Sequence, residues 1–281
     1  MEEKSKKKNW FKRLCISTIR IIAIAYSTLM IGFYFFQSRL VFVPTKGLQT
    51  TPKEIGLDFE THIIGKDQVY SWFIPVKNKD AMTVLICHGN AGNISNRLST
   101  IDFYHRQLGI NVMIFDYSGY GKTPGKVGEE KTYENSQAVF DFMVDTLKIS
   151  PDKIVVDGRS LGGAVAIDLA TKRQFKGLIV QSTFTSIYQM AKSMFPILPA
   201  KWIQHIYYDS ISKVGQIKCP ILHLHSPDDQ IIPYAMSGIL FEKMPNPKRF
   251  VKIQGGHNSG WMDSMAIYDP ALRSFIKEVN Q

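Results

Sequence analysis

The pattern of apolar and polar positions divides the chain in two. From Leu14 to Phe36 apolar residues dominate and the only charge is Arg20, and about 20 apolar residues in a helix are enough to cross the hydrocarbon core of a bilayer. The pattern therefore predicts a transmembrane helix over residues 14–36 behind a basic head at 1–13. After it, short runs rich in β-branched residues alternate with longer stretches of helical period. Strands are expected at 60–64, 69–75, 83–87, 112–115, 154–157, 177–181, 221–225 and 250–253, and helices at 96–108, 130–147, 161–173, 234–243 and 262–278. Runs such as TVLIC, KIVVD and GLIVQ are almost wholly apolar, as happens when helices cover both faces of a parallel sheet. For residues 40–281 the expectation is an α/β domain, doubly wound around a mostly parallel sheet and preceded by a hairpin.

The first apolar run reads as an anchor that is retained. A cleaved signal needs small side chains after its apolar core, and GFYFFQSRLVF offers bulky aromatics instead. A helix lying on the membrane needs a polar face, which residues 21–31 lack. A buried core helix is the remaining competitor. Lys and Arg are more numerous before the run than after it, so the positive-inside bias puts the N-terminus in the cytoplasm and the domain in a periplasm, a lumen or the extracellular space.

The net charge of +10 raises the question of nucleic acid, and its placement argues against it. Nine Lys and Arg against Glu2 and Glu3 fall within the first 46 residues, which leaves three of the ten net charges for the rest. A near-neutral domain lacks the basic stripe that a nucleic-acid partner requires. Cys15, Cys87 and Cys219 are too scattered for a disulfide framework or a zinc site.

Candidate chemistry enters with VVDGRSLGG, residues 155–163. Ser160 stands between glycines, after an expected strand and before a helix that begins with small residues. In open α/β sheets reactive groups collect at the carboxyl ends of the strands. A tight strand-to-helix turn would expose the serine, and the positive end of the helix dipole would favour negative charge developing there. A serine needs a base and an orienting acid. The loops after two later strands supply candidates: Asp228 or Asp229 in SPDDQIIP, and His257 in QGGHNSGW. An oxyanion would need two backbone N–H groups, offered by Leu161 and by Asn90 in the glycine-containing loop HGNAGN. His223 and His225 alternate on one strand, but no third ligand converges on them to make a metal site. A phosphate-binding loop would need Gly-x-x-x-x-Gly-Lys-Ser/Thr, which does not occur.

With HGNAGN (88–93), FDYSGYGKTPGK (115–126), GRSLGG (158–163), DDQIIP (228–233) and GGHN (255–258), the chain resembles the membrane-anchored α/β-hydrolase-domain serine hydrolases, of the serine aminopeptidase-like type, over residues 40–281. The resemblance implies an α/β-hydrolase fold and selects Asp229, four residues before Pro233, as the acid. It implies hydrolysis of an ester, thioester or amide through an acyl-enzyme. In that scheme Ser160 attacks, His257 moves the proton, Asp229 holds the imidazole tautomer and the N–H groups of Leu161 and Asn90 bind the oxyanion, with no metal or organic cofactor. Two positions depart from the usual pattern: Ser118 stands where arginine is common, and Ser226 where glycine often precedes the acid.

Residues 185–210 are rich in Met, Phe, Ile, Trp and Tyr and are expected to form a short apolar cap insertion. An aminopeptidase would use acidic groups there to bind a substrate ammonium, yet the segment holds only Asp209. The expected substrate is therefore a small or lipid-like acyl ester or thioester. The alternatives are an aminopeptidase-type peptidase on the same residues and a catalytically silent, membrane-tethered binding protein.

Overall fold

The computed structural model describes residues 2–196 and 199–281. Helix α1 (Glu2–Val41) is uninterrupted and about 60 Å long at 1.5 Å per residue. Its Asn9–Val41 part is long and apolar enough to cross a membrane and contains the predicted span. Ile19, Ile22, Ile24 and Phe35 project from it exposed.

The sheet follows in the expected rhythm. Its strands are β1 (Glu60–Ile64), β2 (Val69–Ile74), β3 (Thr83–Cys87), β4 (Asn111–Phe115), β5 (Ile154–Arg159), β6 (Gly177–Gln181), β7 (Ile221–His225) and β8 (Lys248–Lys252), in the spatial order β1-β2-β4-β3-β5-β6-β7-β8. β1 and β2 form the antiparallel hairpin, β2 meets β4 antiparallel, and every pairing from β4 onward is parallel.

Successive side chains on a strand point to opposite faces, so an apolar run feeds two cores at once. Leu85, Met113 and Val156 pack with Val139 and Met143 of α3 (Glu129–Asp145), Leu169 of α4 (Leu161–Lys172) and Leu240 of α8 (Tyr234–Lys243). Val84, Ile114 and Ile179 pack on the other face with Ile101 of α2 (Leu98–Asp102) and with Leu272 and Phe275 of α10 (Met265–Val279).

Two predicted helices are subdivided. The helix expected at 96–108 begins as a 3₁₀ turn at Ile94–Arg97, continues as α2 and ends in a wider π turn at Phe103–Gln107. Its start is moved forward by a reciprocal cap: Asn93 accepts from Ser95 N–H while Asn96 accepts from Asn93 N–H. The helix expected at 262–278 is interrupted between α9 (Gly260–Asp263) and α10. There the Ser264 hydroxyl accepts from Gln254 N–H and donates to Gln254 C=O, tying the break to the loop that carries His257. Of the expected cap, α5 (Ile187–Met194), α6 (Ala200–Ile203) and the start of α7 (Ser210–Lys213) are seen, and residues 197 and 198 lie outside the described residues.

Candidate active site

Ser160 is the whole turn between β5 and α4. Its φ of 55° and ψ of −120° lie where a side chain is rarely tolerated, a strain of roughly 1–3 kcal/mol that persists only when the surroundings enforce it. The surroundings do so by close approach. A Cβ on Gly158 would lie 2.3 Å from Gly162 O, and one on Gly162 would lie 1.9 Å from Cys87 O. The glycines thus let α4 lie directly against β5 and β3. Ser160 N–H donates to Gln181 O at 2.9 Å, and Ser160 C=O accepts from Thr183 Oγ1 at 2.7 Å and Gly163 N–H at 3.0 Å.

Opposite the hydroxyl stands His257, whose Nε2 is 3.1 Å from Ser160 Oγ and whose Nδ1 is 2.7 Å from Asp229 Oδ2. The loop is pinned at the histidine itself: His257 N–H donates to Gln230 Oε1, and Arg159 Nη2 donates to His257 C=O. The other Asp229 oxygen accepts from Ile231 N–H at 2.9 Å and Ile232 N–H at 2.8 Å. Burial pushes the Asp229 carboxyl up, but donation from His225, His257 and Ile232 outweighs it and holds the group well below the usual carboxylate range. An ionised carboxylate only accepts, so His257 Nδ1 carries a proton and Nε2 is the acceptor turned to the serine. Asp228 stays outside this chain of bonds, with its N–H on Ser226 Oγ.

The two residues expected to donate to an oxyanion line one cavity together with Ser160. Leu161 opens α4, where an N–H has no intrahelical partner. Asn90 belongs to the loop after β3, which passes so near the serine turn that a Cβ on Gly89 would lie 3.7 Å from Ser160 Cβ. The Asn90 side chain fastens that loop to its surroundings, accepting from Tyr120 OH and Val43 N–H and donating to Val41 O at the end of α1.

Several contributors escaped the reading of the sequence. His225 Nε2 lies 3.1 Å from Asp229 Oδ2, and both His223 and His225 reach the Ser237 hydroxyl. Alternation of the two histidines on β7 was visible, but their partner on α8 was not. His88 lies against the tilted ring of Tyr117 and edge-on to Tyr120, both from the FDYSGYG run, and bonds Gly89 O; burial, reinforced by Arg97, lowers its pKa to about 3, so it braces the loop as a neutral ring. From α1, Gln37 Oε1 accepts from His205 N–H at 2.9 Å and Ile206 N–H at 2.8 Å.

Two cavities meet at Ser160. One, of about 400 Å³, is apolar and is walled by Phe33 and Leu40 of α1, Met190 and Phe195 of the cap region, Phe184 and Leu161. The other, of about 240 Å³, lies on the side of His257 and includes Arg97, Arg159, Asn258 and Trp261.

Residues 78–211 match the family model described as serine aminopeptidase, S33. The chain is 30% identical to the α/β hydrolase domain-containing protein WAV2 of Arabidopsis thaliana, over 86% of this chain and 88% of that one. It is 32% identical to an uncharacterized membrane protein of Saccharomyces cerevisiae, YNL320W, over 84% and 88%. The chain belongs to the α/β-hydrolase family. The Pyrococcus furiosus esterase Pf2001 superimposes on this α/β hydrolase with a TM-score of 0.68 at 20% identity, over 84% of this chain and 98% of that one, which is a likeness of fold. As an α/β hydrolase the chain carries its reactive candidates where the fold expects them, at strand ends in the order Ser160, Asp229, His257.

Proposed function

We propose that the protein is a membrane-anchored serine hydrolase that cleaves an ester or thioester of an apolar acyl group through an acyl-enzyme. The observation that carries this reading is the continuous line of contacts from Ser160 Oγ through His257 to Asp229, at 3.1 Å and 2.7 Å, ending on a serine in strained backbone.

In the proposed reaction Ser160 Oγ attacks the acyl carbon as its proton passes to His257 Nε2. The new imidazolium is stabilised by the ionised Asp229, and the oxyanion by the N–H groups of Leu161 and Asn90. The leaving oxygen or sulfur takes the proton from Nε2. Water then attacks the acyl-enzyme by the same steps in reverse. The apolar cavity supports an acyl group of lipid-like character, and α1 supports a membrane location with the N-terminus cytoplasmic, by the charge bias at its ends.

The test is labelling of the detergent-solubilised full chain by a fluorescent fluorophosphonate. Wild type should label, and Ser160→Ala and His257→Ala should not. Folded wild type that stays unlabelled overturns the reading in favour of a silent tethered binding protein.

A further inference from the structure

We propose that the smaller cavity, beside His257, holds a phosphate borne by the leaving half of the substrate, through Arg97 and Arg159, so that the protein hydrolyses acyl esters or thioesters of a phosphorylated alcohol or thiol. The inference rests on the serine-hydrolase reading and adds the chemical class of the departing group.

The direction of the reaction assigns the cavities. His257 must deliver its proton to the departing atom, so the departing half lies on the side of His257, Asn258 and Trp261, which line the smaller cavity and not the apolar one. The acyl half is left to the cavity walled by Leu161 and Phe184. At about 240 Å³ this cavity is below the 300 Å³ or more that usually houses a whole ligand. It has room for a headgroup, not for the acyl chain as well.

Its charged walls favour an anion. Arg97 Nη2 donates to Ala91 O and Gly89 O, and its buried Nε has no hydrogen-bond partner among the described residues. Arg159 donates from Nη2 to His257 O. Neither is ion-paired with a carboxylate among the described residues. A guanidinium has five donors, so each retains some for a ligand. The nearby carboxylates are otherwise engaged: Asp157 accepts from Gln181 at 2.7 Å and Tyr104 at 3.0 Å, Asp116 accepts from Ile94 N–H, and Asp229 serves the histidines. Asp157, which also lines the cavity, acts on Arg159 and Asp116 on Arg97 through space, neither forming an ion pair with its arginine. Burial lowers both guanidinium pKa values, and the charge of Arg159 lowers that of Arg97 further. A phosphate between the two forks would relieve the repulsion and accept bidentate bonds.

The step balances without a further reactant. Ser160 Oγ bonds the acyl carbon as the C–O or C–S bond breaks, the serine proton leaves on the phosphorylated alcohol or thiol through His257, and water later releases the carboxylic acid.

The experiment uses the full chain in mixed micelles with two matched substrate pairs. One pair is 1-palmitoylglycerol and its 3-phosphate; the other is S-palmitoyl-2-mercaptoethanol and its O-phosphate. The member with phosphate in at least one pair should have a kcat/KM at least about tenfold higher, and Arg97→Gln and Arg159→Gln should each cut that ratio about tenfold. Which pair responds distinguishes a phosphorylated alcohol from a phosphorylated thiol as the departing group. The ratio is insensitive to a general loss of activity through the loops these arginines hold. As a second measurement on wild type alone, glycerol 3-phosphate but not glycerol should slow fluorophosphonate labelling, less so as salt rises. Ratios near one in both pairs, or ratios unchanged in both variants, overturn the proposal. Robust labelling beside ratios near one removes this inference alone, whereas absent labelling removes the parent reading with it.

Discussion

His225 Nε2 meets Asp229 Oδ2 at 3.1 Å, the same oxygen that His257 Nδ1 meets at 2.7 Å. One carboxylate oxygen is thus shared by two imidazoles, one on a rigid strand and one on a loop. In the proposed reaction the strand histidine fixes the carboxylate so that the loop histidine can align on it, which would make His225 a positioning residue. His225→Ala is expected to lower kcat/KM about 10- to 100-fold, the range for losing a hydrogen bond to a charged group. His225→Gln, which keeps a donor, should recover much of it in ester turnover. Equal losses in the two variants would reduce His225 to a packing residue.

Asp229→Asn should keep the fold and lose the chemistry. The amide oxygen can still accept from Ile231 and Ile232 N–H, but its NH₂ then donates toward His257. That reverses the imidazole tautomer and turns a donor to Ser160. Turnover should fall by roughly four orders of magnitude while the circular dichroism spectrum is unchanged. A loss of tenfold or less would mean that Asp229 does not orient His257.

Gly162→Ala should act through backbone, since its Cβ would lie 1.9 Å from Cys87 O. Separating α4 from β3 costs about 1–3 kcal/mol for overpacking of this kind, a fall in Tm of several degrees for a chain of this size. Thermal unfolding at wild-type temperature would contradict the contact.

Gln37 joins α1 to the segment over the apolar cavity by two accepted bonds and a donation to Ile203 O at 3.3 Å. Gln37→Ala should loosen that wall and lower the ratio of kcat/KM for long over short acyl esters severalfold. An unchanged chain-length profile would separate the helix from selectivity.

Asp116 gives the pH dependence of stability a definite sign. Burial raises its folded pKa to about 7, above the unfolded value near 3.9, so the native state binds the extra proton and loses stability as pH rises from about 4 to 7. Asp116→Asn removes that part of the loss. The stability of the variant relative to wild type should therefore increase across this window in urea titrations, and a constant difference would contradict the shift.

The strand ends were legible because buried parallel strands leave unmistakable apolar runs, and Ser160, Asp229 and His257 follow three of them. Close approach was legible too, in the glycines on either side of Ser160. What stayed hidden depends on partners distant in sequence. Ser264 interrupts a helix to serve Gln254, Asn93 and Asn96 start a turn early, and Ser237 on α8 receives both strand histidines. Gln37 read as one polar residue after an apolar run, since its partners lie more than 160 positions away.

Phe33, Gln37, Leu40 and Val41 make the last turns of α1 one side of the apolar cavity. On the proposed function, address and selectivity are written in the same helix. Trimming α1 to obtain a more tractable protein would open that cavity along its length, and any acyl preference then measured would not be that of the full chain.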